Sequence, residues 1–192
     1  MAEMPLVAVL AAGQARRFGG GKLDADCAGK PLGRWALDAV AEAGLRPGLI
    51  VVGSTSPVFA NDATDWTLLV NPDANDGLGT SVRLAVGKAL FAGRDLLILL
   101  ADMPSVTAGH LKALIDCETS AATRYPDGAT GVPVCLRGFD VERVYDGLGE
   151  RRGAASIIRD LDGLTAMDAE PDVLLDVDTS EQLERVAAKL RG

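Results

Sequence analysis

The sequence predicts an α/β chain of three layers, with a mostly parallel central sheet covered by helices on both faces. Three observations carry that reading. Short, unbroken apolar runs recur at residues 6–12, 48–52 and 96–101. Between them lie stretches with apolar side chains at helical spacing, as in Val82, Ala85, Val86, Ala89 and Leu90. Glycine or proline marks most of the junctions. With 192 residues and 48% hydrophobic content, the expectation is one domain, 1–192, with a sizeable core.

Residues 6–12 (LVAVLAA) lie between Pro5 and Gly13 with no polar interruption, which predicts a buried parallel strand. Over residues 31–43, Leu32, Trp35, Ala36, Ala39, Val40 and Ala43 follow a helical period, opened by Pro31 and stopped by Gly44. Residues 48–52 (GLIVV) and 66–70 (WTLLV) are the next two strands, separated by a polar, proline-containing segment. Residues 71–79 (NPDANDGLG) have loop chemistry throughout, and residues 80–92 return to the helical period. Residues 96–101 (LLILLA) are the most hydrophobic run and so the expected central strand, ending on Asp102. Thr107 can cap a helix running to Asp116. Shorter strands are expected at 121–125 and 131–136 around a Pro126-Asp127-Gly128 turn, and helices at 139–148 and 154–161. A last strand at 173–177 leads to Asp178, and an amphipathic helix over 180–190 closes the chain.

Composition removes several classes of function. A formal net charge of -8 argues against a nucleic-acid binder, which needs a broad basic face. Cys27, Cys117 and Cys135 are too far apart for a metal pattern and read as reduced thiols of a cytoplasmic protein. No apolar run approaches the ~20 residues of a membrane span.

Residues 5–34 depart from the acidic whole. Gly13, Gly19, Gly20 and Gly21 are interspersed with Arg16, Arg17, Lys22, Lys30 and Arg34, against only Asp24 and Asp26. A buried strand that empties into a cationic, glycine-rich loop lets backbone approach phosphates closely. Neither common phosphate loop fits: Lys22 is followed by Leu23 and Lys30 by Pro31, and no G-x-G-x-x-G follows Gly13. In a parallel sheet ligands sit at the carboxyl ends of strands, and there Asp102 and Asp178 join this loop.

What stands at residues 10–22 is L-A-A-G-x-x-x-R-F-G-x-x-K, followed by G-K-P-L at 29–32. N-P-x-x-x-x-G-L-G-T-S-V-R at 71–83, L-L-A-D-M-P at 99–104 and D-V-D-T-S-E at 176–181 extend the pattern over most of the chain. This closely resembles the nucleotidyltransferases that activate sugar, isoprenoid and molybdenum-cofactor phosphates. Within them it is most similar to the MobA-like NTP transferases, on the molybdopterin cytidylyltransferase side. The resemblance implies a Rossmann-like nucleotidyltransferase fold and Mg2+-dependent transfer of NMP from an NTP, CTP favoured, to a molybdopterin-type phosphate with release of pyrophosphate. It assigns Leu10, Ala11, Ala12, Gly13, Gly19, Lys22, Asn71, Gly77, Gly79, Thr80, Ser81 and Asp102 to the nucleotide. Arg17, Lys22 and Asp102 become catalytic, and Asp102 and Asp178 hold the metal, with Asp176 as the alternative second ligand.

Each aspartate also has a plainer reading as a helix cap. Arg16 reads as a solvated side chain, Lys30 as the partner of a nearby carboxylate, and His110, the only histidine, as structural. Three positions depart from the pattern: Ala15 replaces a serine, Val132 replaces the histidine of G-H-P-V, and residues 149–155 only echo G-D-x-G-A-R. All three concern the acceptor, so guanylyl transfer, a sugar-phosphate acceptor and a non-catalytic carrier serving a molybdoenzyme stay open beside the cytidylyl reading.

Overall fold

The computed structural model describes residues 3–13, 15, 17–148, 154–170 and 174–191. Its main sheet is built from β1 (Leu6–Ala11), β4 (Leu49–Val52), β5 (Thr67–Val70), β6 (Leu96–Leu100), β7 (Ala121–Arg124), β8 (Thr130–Leu136) and β9 (Thr165–Asp168). A short hairpin, β2 (Asp26–Cys27) with β3 (Lys30–Pro31), stands apart from it. The seven strands lie in the order β5-β4-β1-β6-β8-β7-β9. All neighbours pair in parallel except β8, which is antiparallel to β6 and β7. The exception follows from a tight hairpin turn, in which Tyr125 N–H donates to the Ala129 carbonyl at 2.8 Å. That turn sends the chain straight back between β6 and β7. As its hydrophobicity predicted, β6 is the central strand.

Alternation along the buried strands creates two cores, one per face. Val7, Val9, Leu97 and Leu99 point to the side covered by α1 (Arg34–Glu42), α4 (Ala108–Asp116) and α7 (Ser180–Arg191), which contribute Val40, Leu111 and Val186. Ala8, Leu10, Leu96 and Ile98 point to the other side, covered by α3 (Leu78–Ala92), α5 (Gly138–Gly147) and α6 (Ala154–Arg159) through Val82, Val144 and Ile157. A one-turn helix, α2 (Val58–Asn61), occupies the polar segment after β4. It forms there because both oxygens of Asp24 cap its first amides, at 2.9 Å to Val58 N and 2.8 Å to Phe59 N.

One expected strand is misplaced. Residues 174–177 form no strand, while β9 occupies the sheet edge nine residues earlier, at Thr165–Asp168. The apolar side chains of Leu174 and Val177 are buried instead as loop anchors, and Val177 N–H donates to the Asp102 carbonyl at 3.0 Å. Residue 173 lies outside the described residues, as do Gln14, Arg16 and residues 149–153 of the G-D-x-G-A-R echo.

Candidate active site

The chain leaves β1 for β4 and β5 on one side, then returns to β6 on the other. The change of direction opens a crevice beyond the carboxyl ends of β1 and β6, where ligands bind in open α/β sheets. The loop after β1 and Asp102 after β6 flank that crevice.

Lys22 sits at its centre. The side chain is 9% exposed, and its Nζ donates to Asp102 Oδ2 at 2.7 Å and to Asp178 Oδ1 at 3.5 Å. Arg17, 78% exposed, reaches the other Asp178 oxygen at 2.9 Å. Four sequence-predicted residues from three distant segments thus form one ion-paired group. Neither aspartate is spent as a helix cap. Thr107 caps α4, its hydroxyl accepting from His110 N at 3.2 Å. Ahead of α7, Thr179 Oγ1 accepts from Gln182 N at 3.2 Å while Gln182 Oε1 accepts from Thr179 N at 2.9 Å, a reciprocal capping box. That box leaves the Asp178 carboxylate to the cations.

Asp178, rather than Asp176, shares Lys22 with Asp102. Asp176 is nearby, and its pKa is raised from the ordinary carboxylate value by burial and by the negative charges of Asp178 and Asp102. Tyr125 is pushed up to about 12 by burial, with Asp176, Asp102 and Asp127 adding to it. Its hydroxyl donates to the Val132 carbonyl at 2.7 Å, a bond within the β7–β8 hairpin.

The glycine loop is tightly wound. Gly19, Gly20 and Gly21 have φ of +89°, +99° and +62°, a run that side-chain-bearing residues rarely adopt. The amides of Gly19 and Gly20 both donate to the Ala15 carbonyl, at 3.1 and 3.3 Å, so in this conformation they close the loop on itself. A cavity of about 480 Å³ opens beside it, lined by Ala11, Ala12, Gly13, Lys22 and Asn71 among the expected residues. Leu10 lies one residue deeper, buried in β1.

Asn71 is 1% exposed, and three of its hydrogen bonds are spent on the chain itself. Its Nδ2 donates to Thr80 Oγ1 and Ser81 Oγ, both at 2.9 Å, and its Oδ1 accepts from Asp73 N at 3.0 Å. Thr80 and Ser81 therefore meet the cavity wall through Asn71, while Gly77, with φ +113°, and Gly79 shape the start of α3. Asn71 positions this wall.

Sequence reasoning overlooked the far wall, formed by residues 53–57 after β4 together with Asp24 and Asn75. The rule that found the loop after β1 applies equally to Gly53, which ends the neighbouring parallel strand. Other side chains took their plainer roles. Lys30 pairs with Asp38 and lies 3.5 Å over the Trp35 ring, and His110 Nε2 meets Thr123 Oγ1 at 2.8 Å in the interior.

The donor set fits a hard divalent cation. Asp102 Oδ1 is buried without a hydrogen-bond partner among the described residues, beside carboxylate oxygens now neutralised by ammonium and guanidinium. No cluster of three or more His, Cys, Asp or Glu side chains among the described residues is placed to hold a metal. Phosphate or water oxygens would have to complete the coordination, as is usual for Mg2+.

A profile for the MobA-like NTP transferase domain matches residues 7–165. The chain belongs to that family. Among curated proteins, the purine catabolism protein PucB of Bacillus subtilis is 35% identical over 119 residues, covering 55% of this chain. That alignment spans 57% of PucB, little more than half of the relative's length. Rv0371c of Mycobacterium tuberculosis, also solved with manganese, superposes with a TM-score of 0.75 over 97% of this chain and 99% of its own, at 23% identity. The 4-diphosphocytidyl-2C-methyl-D-erythritol synthase of Anaerococcus prevotii reaches a TM-score of 0.78 at 12% identity, over 99% of this chain and 97% of its own. At such identities the likeness is one of fold. Among the described residues no helix of this family member is long and apolar enough to cross a membrane.

Proposed function

We propose that this member of the MobA-like NTP transferase domain family transfers a nucleoside monophosphate from an NTP, preferably CTP, to a phosphorylated pterin of the molybdenum-cofactor type. One observation carries the reading: Lys22 is both a wall of the cavity beside the glycine loop and the ion-pair partner of Asp102 and Asp178. A group in that place connects a triphosphate to the carboxylates that would hold its counter-ion.

In this reaction an acceptor phosphate oxygen attacks the α-phosphorus, the α–β bridging bond breaks, and pyrophosphate leaves in line. The protein needs no nucleophile of its own; its work is alignment and charge neutralisation. The Gly13 backbone and the glycine turn receive the triphosphate, and Arg17 and Lys22 supply positive charge toward the leaving pyrophosphate. Asp102 and Asp178 would hold Mg2+, which would supply electrostatic stabilisation of the transferring phosphoryl group. Manganese in the structure of Rv0371c supports a divalent ion in a protein of this fold. Asn71 with Thr80 and Ser81 holds the wall that would meet ribose or base.

The test is pyrophosphate release with each NTP, Mg2+ and either a pyranopterin phosphate or a sugar 1-phosphate. Release with CTP and the pterin is expected. Release only with the sugar phosphate would replace the acceptor, and tight NTP binding without any release would replace catalysis with a carrier role.

A further inference from the structure

The carboxylates assigned to the metal are already occupied by the protein's own cations. Lys22 Nζ lies 2.7 Å from Asp102 Oδ2 and 3.5 Å from Asp178 Oδ1, and Arg17 lies 2.9 Å from Asp178 Oδ2. A divalent ion bound by these same oxygens would stand within a few ångströms of an ammonium held at 9% exposure, where screening by water is weak. Both cannot hold the pair at full strength. Lys22 also lines the triphosphate cavity, so its ammonium has a second set of anions within the reach of one side chain. Its backbone follows three glycines with positive φ, a segment able to accommodate a shift of the residue that follows.

We infer that Lys22, assisted by Arg17, is a counter-ion latch that keeps the Asp102–Asp178 site closed to divalent cations until a triphosphate draws the two side chains away. The inference rests on the transfer reading above and adds an order to it: nucleotide opens the metal site. Without nucleotide the lysine satisfies the carboxylates. With nucleotide the same lysine neutralises phosphate and frees Asp102 Oδ2 and Asp178 Oδ1, beside the unpartnered Asp102 Oδ1, for the ion. Linkage requires the reciprocal effect, so the ion tightens nucleotide binding by the factor by which nucleotide tightens the ion.

Mn2+ binding to the 192-residue chain, followed by electron paramagnetic resonance, reads this directly and needs no turnover. Wild-type protein should bind Mn2+ weakly alone and tightly with a non-hydrolysable CTP analogue. Lys22→Met should tighten nucleotide-free Mn2+ binding roughly ten- to hundredfold, the scale of coupling between adjacent sites. Adding Asp102→Asn to it should cancel the gain. Arg17→Ala, at a residue too exposed to threaten folding, should give a smaller gain in the same direction. No tightening in either single variant, or wild-type protein that binds Mn2+ equally with and without the analogue, overturns the latch while analogue binding leaves the transfer reading intact. An analogue that fails to bind at any Mn2+ concentration overturns the transfer reading, and with it the nucleotide trigger.

Discussion

Replacing Asn71 by alanine separates a positioning role from a binding role. The side chain makes hydrogen bonds of 2.9, 2.9 and 3.0 Å to Thr80, Ser81 and Asp73, and is 1% exposed. At about 1 kcal/mol net per bond the loss is about 3 kcal/mol. Ser81, 2% exposed, would be left with a buried hydroxyl in want of a partner, which adds to the loss. Thr80 would suffer less, because it also donates toward the Gly77 and Asp73 carbonyls at 2.8 and 3.0 Å. Water entering the vacated volume from the adjoining cavity offsets part of the total, so about 2–3 kcal/mol is expected. With a urea slope of about 2 kcal/mol/M, the midpoint should fall by about 1 M. Nucleotide affinity should fall too, because the start of α3 loses its tether. A midpoint shift below about 0.2 M would refute the claim that this amide holds the wall.

Further expectations come from single residues. Asp102→Asn keeps an acceptor for Lys22 but removes the charge that would hold the metal; kcat should drop by at least ~100-fold while circular dichroism is unchanged, and a near-normal rate would remove Asp102 from the mechanism. Burial lowers the His110 pKa, so below the unfolded value of 6.5 the unfolded chain binds the proton more readily. Its stabilising contribution is therefore present above pH 6.5 and lost as pH falls through the folded pKa. As the only histidine, it gives one NMR titration curve, whose midpoint should lie below that of a free imidazole. Gly48→Ala would place a Cβ 2.1 Å from the Val7 carbonyl oxygen, a backbone atom that cannot turn aside, so thermal melts should show a loss of ~2 kcal/mol or more.

Much of the fold was legible because the buried strands must be apolar on both faces. LVAVLA, LIVV and LLILL leave no other reading between glycine and proline boundaries. The edge was harder. The strand Thr165–Asp168 is half-exposed, with threonine and aspartate at its ends, so it carries no apolar signal. The Leu174–Val177 stretch carries that signal and uses it to anchor a loop. The same contrast holds in the site. Gly13, Arg17, Lys22 and Asp102 stood out through charge and spacing against an acidic background, whereas residues 53–57 and the capping action of Asp24 are ordinary polar loop chemistry until a cavity gives them a common wall.

By itself, the sequence determined the layered architecture, the central strand and the family, because periodicity and motif spacing are local properties of the chain. Tertiary structure alone decided which aspartate shares the Lys22 ammonium with Asp102. Thr179 and Gln182 cap α7 and release Asp178 to Lys22, and Asp176, two residues away, is left exposed beside like charges. It also decided that Lys22 serves two places at once. Lys22 is separated from Asp178 by 156 positions, and an electrostatic contact of that kind exists only once the strand ends are brought together.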